Sequence, residues 1–303
     1  MLIRMLYRTI RLSWGHWTGI WVYRAVKIFL NVFYPVYCKL VSYSPPLKSA
    51  SKTIISLTSF PARIDRIWLV IETLLRQTYK PHKIVLWLAN SQFHGVESLP
   101  GNLRKLQQKG LEIRFCEDLR SHKKYFYAMQ DYPEFNVITV DDDTFYPEDL
   151  VEGLVECSEH HPGLVCCNLA HQIVSRDGMV SNYADWISGF DALQGPSAYL
   201  VPIGCEGVLY PSGTLDQRAF DRDAIERLCP IADDLWLKAM STLNGVSAIR
   251  AHPYSFPFVN IIYPRSAGNF SLSEINNGKK MNDSQFSAIV DEYPGLIVIW
   301  AST

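Results

Sequence analysis

Three consecutive aspartates, Asp141, Asp142 and Asp143, directly follow the apolar run from Phe135 to Val140. That run is typical of a buried strand, so the three carboxylates are expected at the end of the strand. Like charges crowded within about 10 Å of chain repel one another by roughly 1 kcal/mol per close pair, and a bound cation relieves that repulsion. A solvated acidic turn is the alternative interpretation.

The spacing of the aspartates indicates which cation they would bind. On extended backbone, Asp141 and Asp143 point to the same side. Two hard oxygen ligands suit Mg²⁺ or Mn²⁺, and Mg²⁺ in particular leaves its other positions to waters and substrate phosphates. The pattern therefore predicts a divalent metal on Asp141 and Asp143, placed to bind a diphosphate.

The chain ahead of the aspartates alternates between strand and helix patterns. Such an order predicts a parallel sheet with right-handed crossovers. The predicted elements are a strand at Thr53 to Thr58, a helix from Ile64 to about Gln77, a strand at Lys83 to Leu88, a strand at Leu111 to Cys116 and a helix at Lys123 to Met129.

Polar residues follow several of these strands, and ligands of open parallel sheets bind beyond the carboxyl ends of the strands. Thr58, Ser59 and Arg63 follow the first strand, and Arg63 is a candidate for a phosphate contact or a surface residue. Asp118 follows the third strand and could accept a hydrogen bond from a base. Lys124 has two interpretations, a phosphate contact or a solvated helix face.

Composition indicates a folded protein with an unusual amino-terminal segment. The 303 residues are 48% hydrophobic and 19% charged, which suits one sizeable globular domain. Residues 1–50 contain seven of the 29 basic residues and no acid, so the rest of the chain is acidic. Such asymmetry is typical of a basic arm that meets an anionic surface.

The amino-terminal segment has the pattern of an interfacial helix. Its uncharged runs, 12–23 and 28–38, fall short of the ~20 residues that a spanning helix needs. Arg4, Arg8 and Arg11 share one helical face, whereas Trp14, Trp17 and Trp21 form a second stripe; these features predict residues 1–40 on an anionic membrane surface. Packing on the rest of the protein is the alternative, and the acidic remainder disfavours nucleic acid.

Two further patterns bear on organisation and location. The prolines within 43–49 indicate a linker, which divides the chain into a membrane-associating segment at 1–50 and a domain at 51–303. A signal peptide fits poorly, and the seven cysteines show no paired metal spacing. We therefore expect a cytoplasmic protein, peripheral on the inner face of the cell membrane.

Several of these segments together resemble a known family. The run from Thr53 to Arg63, the Leu75-Arg76-Gln77-Thr78 helix end, the strand Lys83 to Leu88 and Val140 to Asp143 are similar to GT-A glycosyltransferases, family 2-like, of the bacterial surface-polysaccharide type. The resemblance implies a three-layer α/β fold with a mostly parallel sheet, here preceded by amphipathic helices. Many relatives have an acidic residue where this chain has Leu88-Ala89-Asn90, so that base contact is not carried over.

The resemblance also implies an activity. It implies a hexosyltransferase that moves a sugar from a nucleotide-sugar donor to a lipid-linked glycan, with Mn²⁺ or Mg²⁺ on Asp141 and Asp143 and His252 as a third candidate ligand. Thr58, Ser59, Arg63, Asp118, Lys124 and Asp142 would then contact the donor. A nucleotidyltransferase and a membrane-bound sugar-binding scaffold remain as alternatives.

The second half of the chain supplies the remaining candidates for such a reaction. Glycosyl transfer with inversion needs a base near the acceptor hydroxyl, and Asp234, with Asp233 as substitute, is the favoured residue; both could instead cap the helix that follows. Glu206 and Gly207 form a second candidate substrate element, and a plain glycine turn is the alternative.

Overall fold

A seven-stranded sheet forms the centre of the protein in the computed structural model, which describes residues 1–41, 43, 51–251, 256–263 and 281–301. The strands are β1 (Thr53–Thr58), β2 (Lys83–Ala89), β3 (Leu111–Cys116), β4 (Asn136–Thr139), β5 (Val165–Cys167), β6 (Ala170–Gln172), β7 (Ser175–Arg176), β8 (Met179–Val180), β9 (Leu200–Pro202), β10 (Val208–Tyr210) and β11 (Ala248–Arg250). The α-helices are α1 (Leu2–Ser13), α2 (Gly19–Leu40), α3 (Ile67–Leu75), α4 (Gly101–Lys105), α5 (Lys123–Asp131), α6 (Leu150–His160), α7 (Arg222–Leu228), α8 (Asp233–Leu243), α9 (Met281–Glu292) and α10 (Gly295–Trp300).

The sheet is mostly parallel. Its strand order is β11-β5-β10-β4-β1-β2-β3, and only β10 runs antiparallel to its neighbours β4 and β5. Two small antiparallel pairs, β6 with β9 and β7 with β8, lie outside it. Because β1 to β4 are parallel, their carboxyl ends share one edge, as the sequence predicted.

Helices cover both faces of the sheet. Ile55 and Leu57 of β1 pack in one core together with residues of α3 and α6, whereas Ile54 faces the other side and packs with Ala128 of α5. Successive side chains of a strand point to opposite faces, so a strand buried on both faces is apolar nearly throughout. The predicted three-layer α/β arrangement with a mostly parallel sheet is confirmed.

One face of α1 and α2 is part of the main core. The buried residues on this face are Ile3, Tyr7, Ile10, Val26, Leu30, Tyr34 and Cys38. Trp14 packs on Phe256, with ring centroids 5.7 Å apart, whereas Trp17 and Trp21 are 85% and 63% exposed. The predicted tryptophan stripe is therefore divided, because Trp14 packs on Phe256 whereas Trp17 and Trp21 face outward. Within the described ranges, no helix combines the length and apolarity needed to cross a membrane.

The start of α1 is held by a distant carboxylate. A helix leaves its first N–H groups without partners inside the helix, and α1 has no side-chain cap of its own. The Glu148 side chain accepts hydrogen bonds from the backbone N–H of Ile3 and of Arg4, at 3.1 and 2.6 Å. The amino terminus is thus fixed to the start of α6.

Residues 256–263, called the bridging segment below, join α1 and α2 to the loop that follows β4. Within that loop, Phe145 N–H donates to Val259 O at 2.9 Å, and Asp143 O accepts from Ile261 N–H at 2.6 Å. The Tyr7 hydroxyl donates to Phe145 O at 2.5 Å and accepts from Val259 N–H at 2.7 Å. The Tyr7 side chain of α1 therefore bonds both to the loop after β4 and to the bridging segment.

Replacing Tyr7 by Phe should lower the free energy of unfolding by about 1–3 kcal/mol, because the buried Phe145 carbonyl and Val259 N–H lose a hydrogen-bond partner. Urea denaturation followed by circular dichroism measures the change. Tyr127→Phe is the matched control, since its hydroxyl bonds to Glu117 O in an exposed position. Equal stability of the two variants would contradict a structural role for the Tyr7 hydroxyl.

Candidate active site

A cavity of about 560 Å³ opens at the carboxyl edge of the parallel strands. Most of the residues predicted to form a site line it. They are Thr58, Ser59, Arg63, Asp118, Lys124, Asp141, Asp142, Asp233 and Asp234. Strand ends and helix starts that are distant in sequence therefore meet in one space.

Lys124 lies at the centre of the acidic residues. From the first turn of α5, its Nζ is 2.7 Å from Asp141 Oδ1 and 3.0 Å from Asp233 Oδ2. Burial alone would lower the pKa of Lys124, but the carboxylates of Asp141, Asp233 and Asp234 outweigh it and raise the pKa. Lys124 therefore stays charged, and it is neither exposed nor a solvated helix residue.

Gly204 allows this close packing. A Cβ atom at that position would lie 2.9 Å from Lys124 Nζ and 3.2 Å from Asp234 Oδ1. Any other residue would have to displace the lysine. The glycine is thus required by the charge cluster rather than by a turn.

Arg63 binds the other two aspartates of the run. Its Nη1 is 2.5 Å from Asp142 Oδ1 and 2.9 Å from Asp143 Oδ2, and Ser59 Oγ donates to Asp142 Oδ2 at 2.6 Å. The guanidinium also lies over the rings of Phe60 and Tyr263, each 5.4 Å from the ring centroid. Arg63, which the sequence analysis gives as a candidate phosphate contact, is here the counterion of Asp142 and Asp143.

The aspartates do not point as an extended strand would direct them. β4 ends at Thr139, and Asp141 to Asp143 lie in the bend beyond it. Asp141 therefore turns to Lys124 inside the cavity, whereas Asp143 turns to Arg63 and does not line the cavity. The expectation that Asp141 and Asp143 share one side is corrected, because side-chain alternation applies only within the strand.

The chemistry of this donor set suits a hard cation. Burial raises the pKa of Asp143 to about 6 in spite of Arg63, and Asp142 and Asp141 add to the rise. Such crowded carboxylates would gain from further positive charge. Asp141 and Asp143 remain partly accessible. Among the described residues, no cluster of three or more metal-binding side chains is present, and His252 lies outside them.

Asp233 and Asp234 begin α8 but do not cap it. The N-cap residue is Ala232, and no side chain caps this helix end. Asp234 Oδ1 instead accepts the Gly204 N–H at 3.1 Å. Burial, together with Asp233 and Asp141, raises the pKa of Asp234, whereas Lys124 and His122 outweigh burial and lower that of Asp233. The neighbours thus differ: Asp233 is a counterion, and Asp234 is able to take up a proton.

Asp118 has partners that the sequence did not reveal. Lys123 Nζ lies 2.5 Å from Asp118 Oδ1, and Gln92 Nε2 donates to Asp118 Oδ2 at 3.0 Å. Gln92, Arg120 and Lys123 all line the same end of the site with it. Gln92 follows β2 in the same way that Asp118 follows β3. The parallel order of these strands is therefore the one sequence signal that could have identified Gln92 as a site residue.

Glu206 and Gly207 do not reach the cavity. A Cβ atom on Gly207, which has φ of +89°, would meet Leu150 and Leu154 at 3.3–3.4 Å. Glu206 is 2% exposed, and its Oε1 accepts the Phe258 N–H at 3.0 Å. Both residues pack against α6 and the bridging segment and do not line the cavity, so their predicted sugar contacts stay a prediction without support from this geometry.

Comparison with known proteins gives distant structural matches. No protein-family model and no curated protein matches the sequence. The mannosyltransferase PcManGT from Pyrobaculum calidifontis, in complex with GDP-Man and Mn²⁺, is 14% identical at a TM-score of 0.44, and the match covers 98% of this chain and 85% of that one. S. aureus TarS 1-349 with UDP-GlcNAc is 11% identical at 0.45, covering 80% and 71%.

A nucleotide-handling enzyme of another kind matches as well. A 4-diphosphocytidyl-2C-methyl-D-erythritol synthase is 10% identical at a TM-score of 0.41, covering 68% of this chain and 91% of that one. The matched structures thus include glycosyltransferases, the class that the sequence resembles. At these scores they assign neither an activity nor a ligand to this chain.

The buried Glu206 carboxyl predicts a pH-dependent stability. Burial raises the pKa of Glu206 from 4.5 to about 8, so the folded protein keeps a proton that the unfolded chain releases. The free energy of unfolding should therefore fall as pH rises from about 5 to about 8, by at most about 1.4 kcal/mol per pH unit from this group. Glu206→Gln should remove that slope in urea titrations, whereas the exposed Glu156→Gln should keep it. Parallel profiles for all three proteins would contradict the shift.

Proposed function

We propose that the protein is a metal-dependent glycosyltransferase that moves a sugar, in our proposal a hexose, from a nucleotide-sugar donor to a lipid-linked glycan in surface polysaccharide synthesis. The observation that carries the proposal is the cavity itself. Asp141, Arg63, Lys124 and Asp234 line it together at one strand edge, and Asp143 adjoins it through its ion pair with Arg63.

Charge balance supports a metal-bound diphosphate. Among the described residues, Arg63 and Lys124 are the cations that contact the carboxylates of Asp141, Asp142, Asp143, Asp233 and Asp234. A diphosphate would add negative charge to this cluster, and like charges at close range repel strongly in a partly buried site. A divalent cation that enters with the donor offsets both charges.

Asp141 and Asp143 are the residues that would hold Mg²⁺ or Mn²⁺, with His252 as a third candidate. Their oxygen donors suit hard cations that keep phosphate ligands. When bound, the metal would neutralise charge on the departing nucleoside diphosphate. Thr58, Ser59, Asp118 and the neighbouring Gln92 would hold the nucleoside end of the donor by hydrogen bonds.

Asp234 is the proposed base. In a single displacement, the acceptor oxygen bonds to the anomeric carbon as the bond from that carbon to the diphosphate breaks. The electron pair leaves with the diphosphate, and the acceptor proton passes to Asp234. Its pKa, which burial and the carboxylates of Asp233 and Asp141 raise, favours proton uptake. Lys124 keeps the neighbouring Asp233 ionised, so Asp234 is the member of this aspartate pair that takes up the proton.

The donor half of the proposal is tested with purified protein, a panel of nucleotide sugars and Mn²⁺ or Mg²⁺. We expect one donor to release its nucleoside diphosphate, and we expect EDTA or Asp143→Asn to slow release at least 100-fold, since charge on the leaving group is then uncompensated. Asp234→Asn should slow transfer to acceptor by 10²–10⁴-fold, the usual range for loss of a general base.

Asp177→Asn is the matched control for both substitutions, because Asp177 lies in an exposed turn. Its rates should equal those of the unaltered protein. Metal-independent release would contradict the role of Asp141 and Asp143. Release of pyrophosphate from a nucleoside triphosphate would identify a nucleotidyltransferase instead, and binding without turnover would identify a scaffold.

The outer face of α1 and α2 supports a place on an anionic membrane. Arg8, Arg11 and Arg24 are among its basic residues, and residues 1–50 have no acid. Exposed apolar side chains run along this face, namely Leu12, Trp17, Ile20, Trp21, Ile28, Phe29, Val32, Phe33, Val36 and Leu40. Tryptophan and basic residues on an interfacial helix favour anionic lipid headgroups. A lipid-linked acceptor would lie in the same membrane.

Vesicle binding tests this location. The protein should sediment with vesicles of anionic phospholipid and much less with neutral vesicles, and the double change Trp17→Ser with Trp21→Ser should weaken binding at least 10-fold, since two exposed apolar anchors are lost. Met179→Ser with Leu193→Ser is the control, because both residues are exposed elsewhere on the protein. Equal binding by both double variants would exclude this face as the lipid contact.

A further inference from the structure

One part of the cavity wall is formed by uncharged side chains, unlike the cluster of aspartates around Lys124 and Arg63. β6 and β9 pair so that His171 lies opposite Val201, and both residues line the cavity. Ile203 follows β9, and Leu235 adjoins Asp234 in α8. Tyr183 and Asn282 complete this wall, which we call the uncharged wall.

His171 presents a hydrogen-bond donor there. Its Nδ1 accepts the Gly189 N–H at 3.0 Å, so the ring proton is on Nε2. Burial lowers the pKa of His171 to about 4, so the ring is neutral at pH 7. Among the described residues, Nε2 has no hydrogen-bond partner.

Asn282 presents an acceptor. The residue is 8% exposed, and its Oδ1 is fully buried without a hydrogen-bond partner in the part of the chain that the structure describes. Leaving a buried amide oxygen unpaired costs stability, and such groups in native proteins call for an explanation such as a ligand. Asn282 lines the cavity, so a ligand hydroxyl would satisfy this oxygen once the side chain turns toward the ligand.

The uncharged wall lies next to the proposed base. Burial raises the pKa of Tyr183, and the Asp234 carboxylate adds to the rise, so this ring is within electrostatic reach of Asp234. The Tyr183 ring also packs against His171, with centroids 5.7 Å apart. A ligand on this wall therefore has its hydroxyls near the group that would take up a proton.

We propose that the uncharged wall is an acceptor subsite for a neutral sugar, an inference that rests on the proposed function. Val201, Ile203 and Leu235 would contact the C–H face of the sugar ring, and His171 Nε2–H, the Tyr183 hydroxyl and Asn282 Oδ1 would bind its hydroxyls. Neutral sugars are favoured over anionic ones, because the described residues of the wall include no cation and Asp234 adjoins Leu235 of the wall.

Saturation-transfer NMR on the full chain tests binding directly. Neutral hexosides and a glucuronide serve as probes, in the presence of the nucleoside diphosphate. Neutral hexosides should give signals that weaken at least 10-fold with His171→Asn, which is designed to keep an acceptor for the Gly189 N–H but lacks Nε2–H. The exposed His94→Ala is the control.

The Asn282→Leu variant distinguishes a ligand contact of Asn282 from a purely structural role of that side chain. Removing an unpaired buried amide should raise the melting temperature, while loss of the hydroxyl contact should raise the acceptor KM at least 10-fold. A lower melting temperature with unchanged acceptor binding would overturn the proposal.

The remaining outcomes separate the two proposals. If hexosides bind the wall but no donor is turned over, the proposed function fails and the sugar site remains. If a donor is hydrolysed but no neutral hexoside binds, or the glucuronide binds equally well, the acceptor subsite is wrong. If His171→Asn and His94→Ala bind alike, the wall is not the site.

Discussion

One buried cation, Lys124, and one partly buried cation, Arg63, make the charge arrangement of this protein possible. Lys124 lies between Asp141 and Asp233, and Arg63 binds Asp142 and Asp143. Removing one member of a buried ion pair leaves an uncompensated charge, which costs about 3–5 kcal/mol. The bend after β4, the first turn of α5 and the start of α8 are therefore held together by charge, and Ser56 Oγ on β1 adds a hydrogen bond to the Lys124 carbonyl. The cavity exists because these elements meet there.

Much of the first half of the fold could be predicted from sequence. β1 and β3 have the predicted bounds, β2 ends one residue later and α5 two residues later, since apolar periodicity identifies strands and helices well. Parallel order then placed Thr58, Asp118 and Asp141 at one edge. The direction of Asp143 could not be predicted, because it depends on a bend and on Arg63 from another element.

Other parts of the site depend on contacts that local patterns do not encode. Glu206 precedes a glycine and was expected to contact substrate, yet the bridging segment covers it. His171 and Asn282 are 111 residues apart in sequence, and neither lies in a recognisable motif. Only the pairing of β6 with β9 and the packing of α9 bring them to one wall. Asp234 was recognisable as a carboxylate, but its raised pKa required its own burial and the neighbouring carboxylates of Asp233 and Asp141.

The Tyr7 hydroxyl has a consequence for the order of folding. Its two backbone partners belong to Phe145 and Val259, so Tyr7 waits for the synthesis of 252 further residues before its contacts are complete. Chains grow from the amino terminus at roughly 5–20 residues per second, which makes that wait about 13–50 seconds. During this time, both faces of α1 and α2 lack the sheet as a partner. A nascent chain therefore offers the apolar surface of α1 and α2 to the surroundings of the ribosome well before the cavity at the strand edge can form.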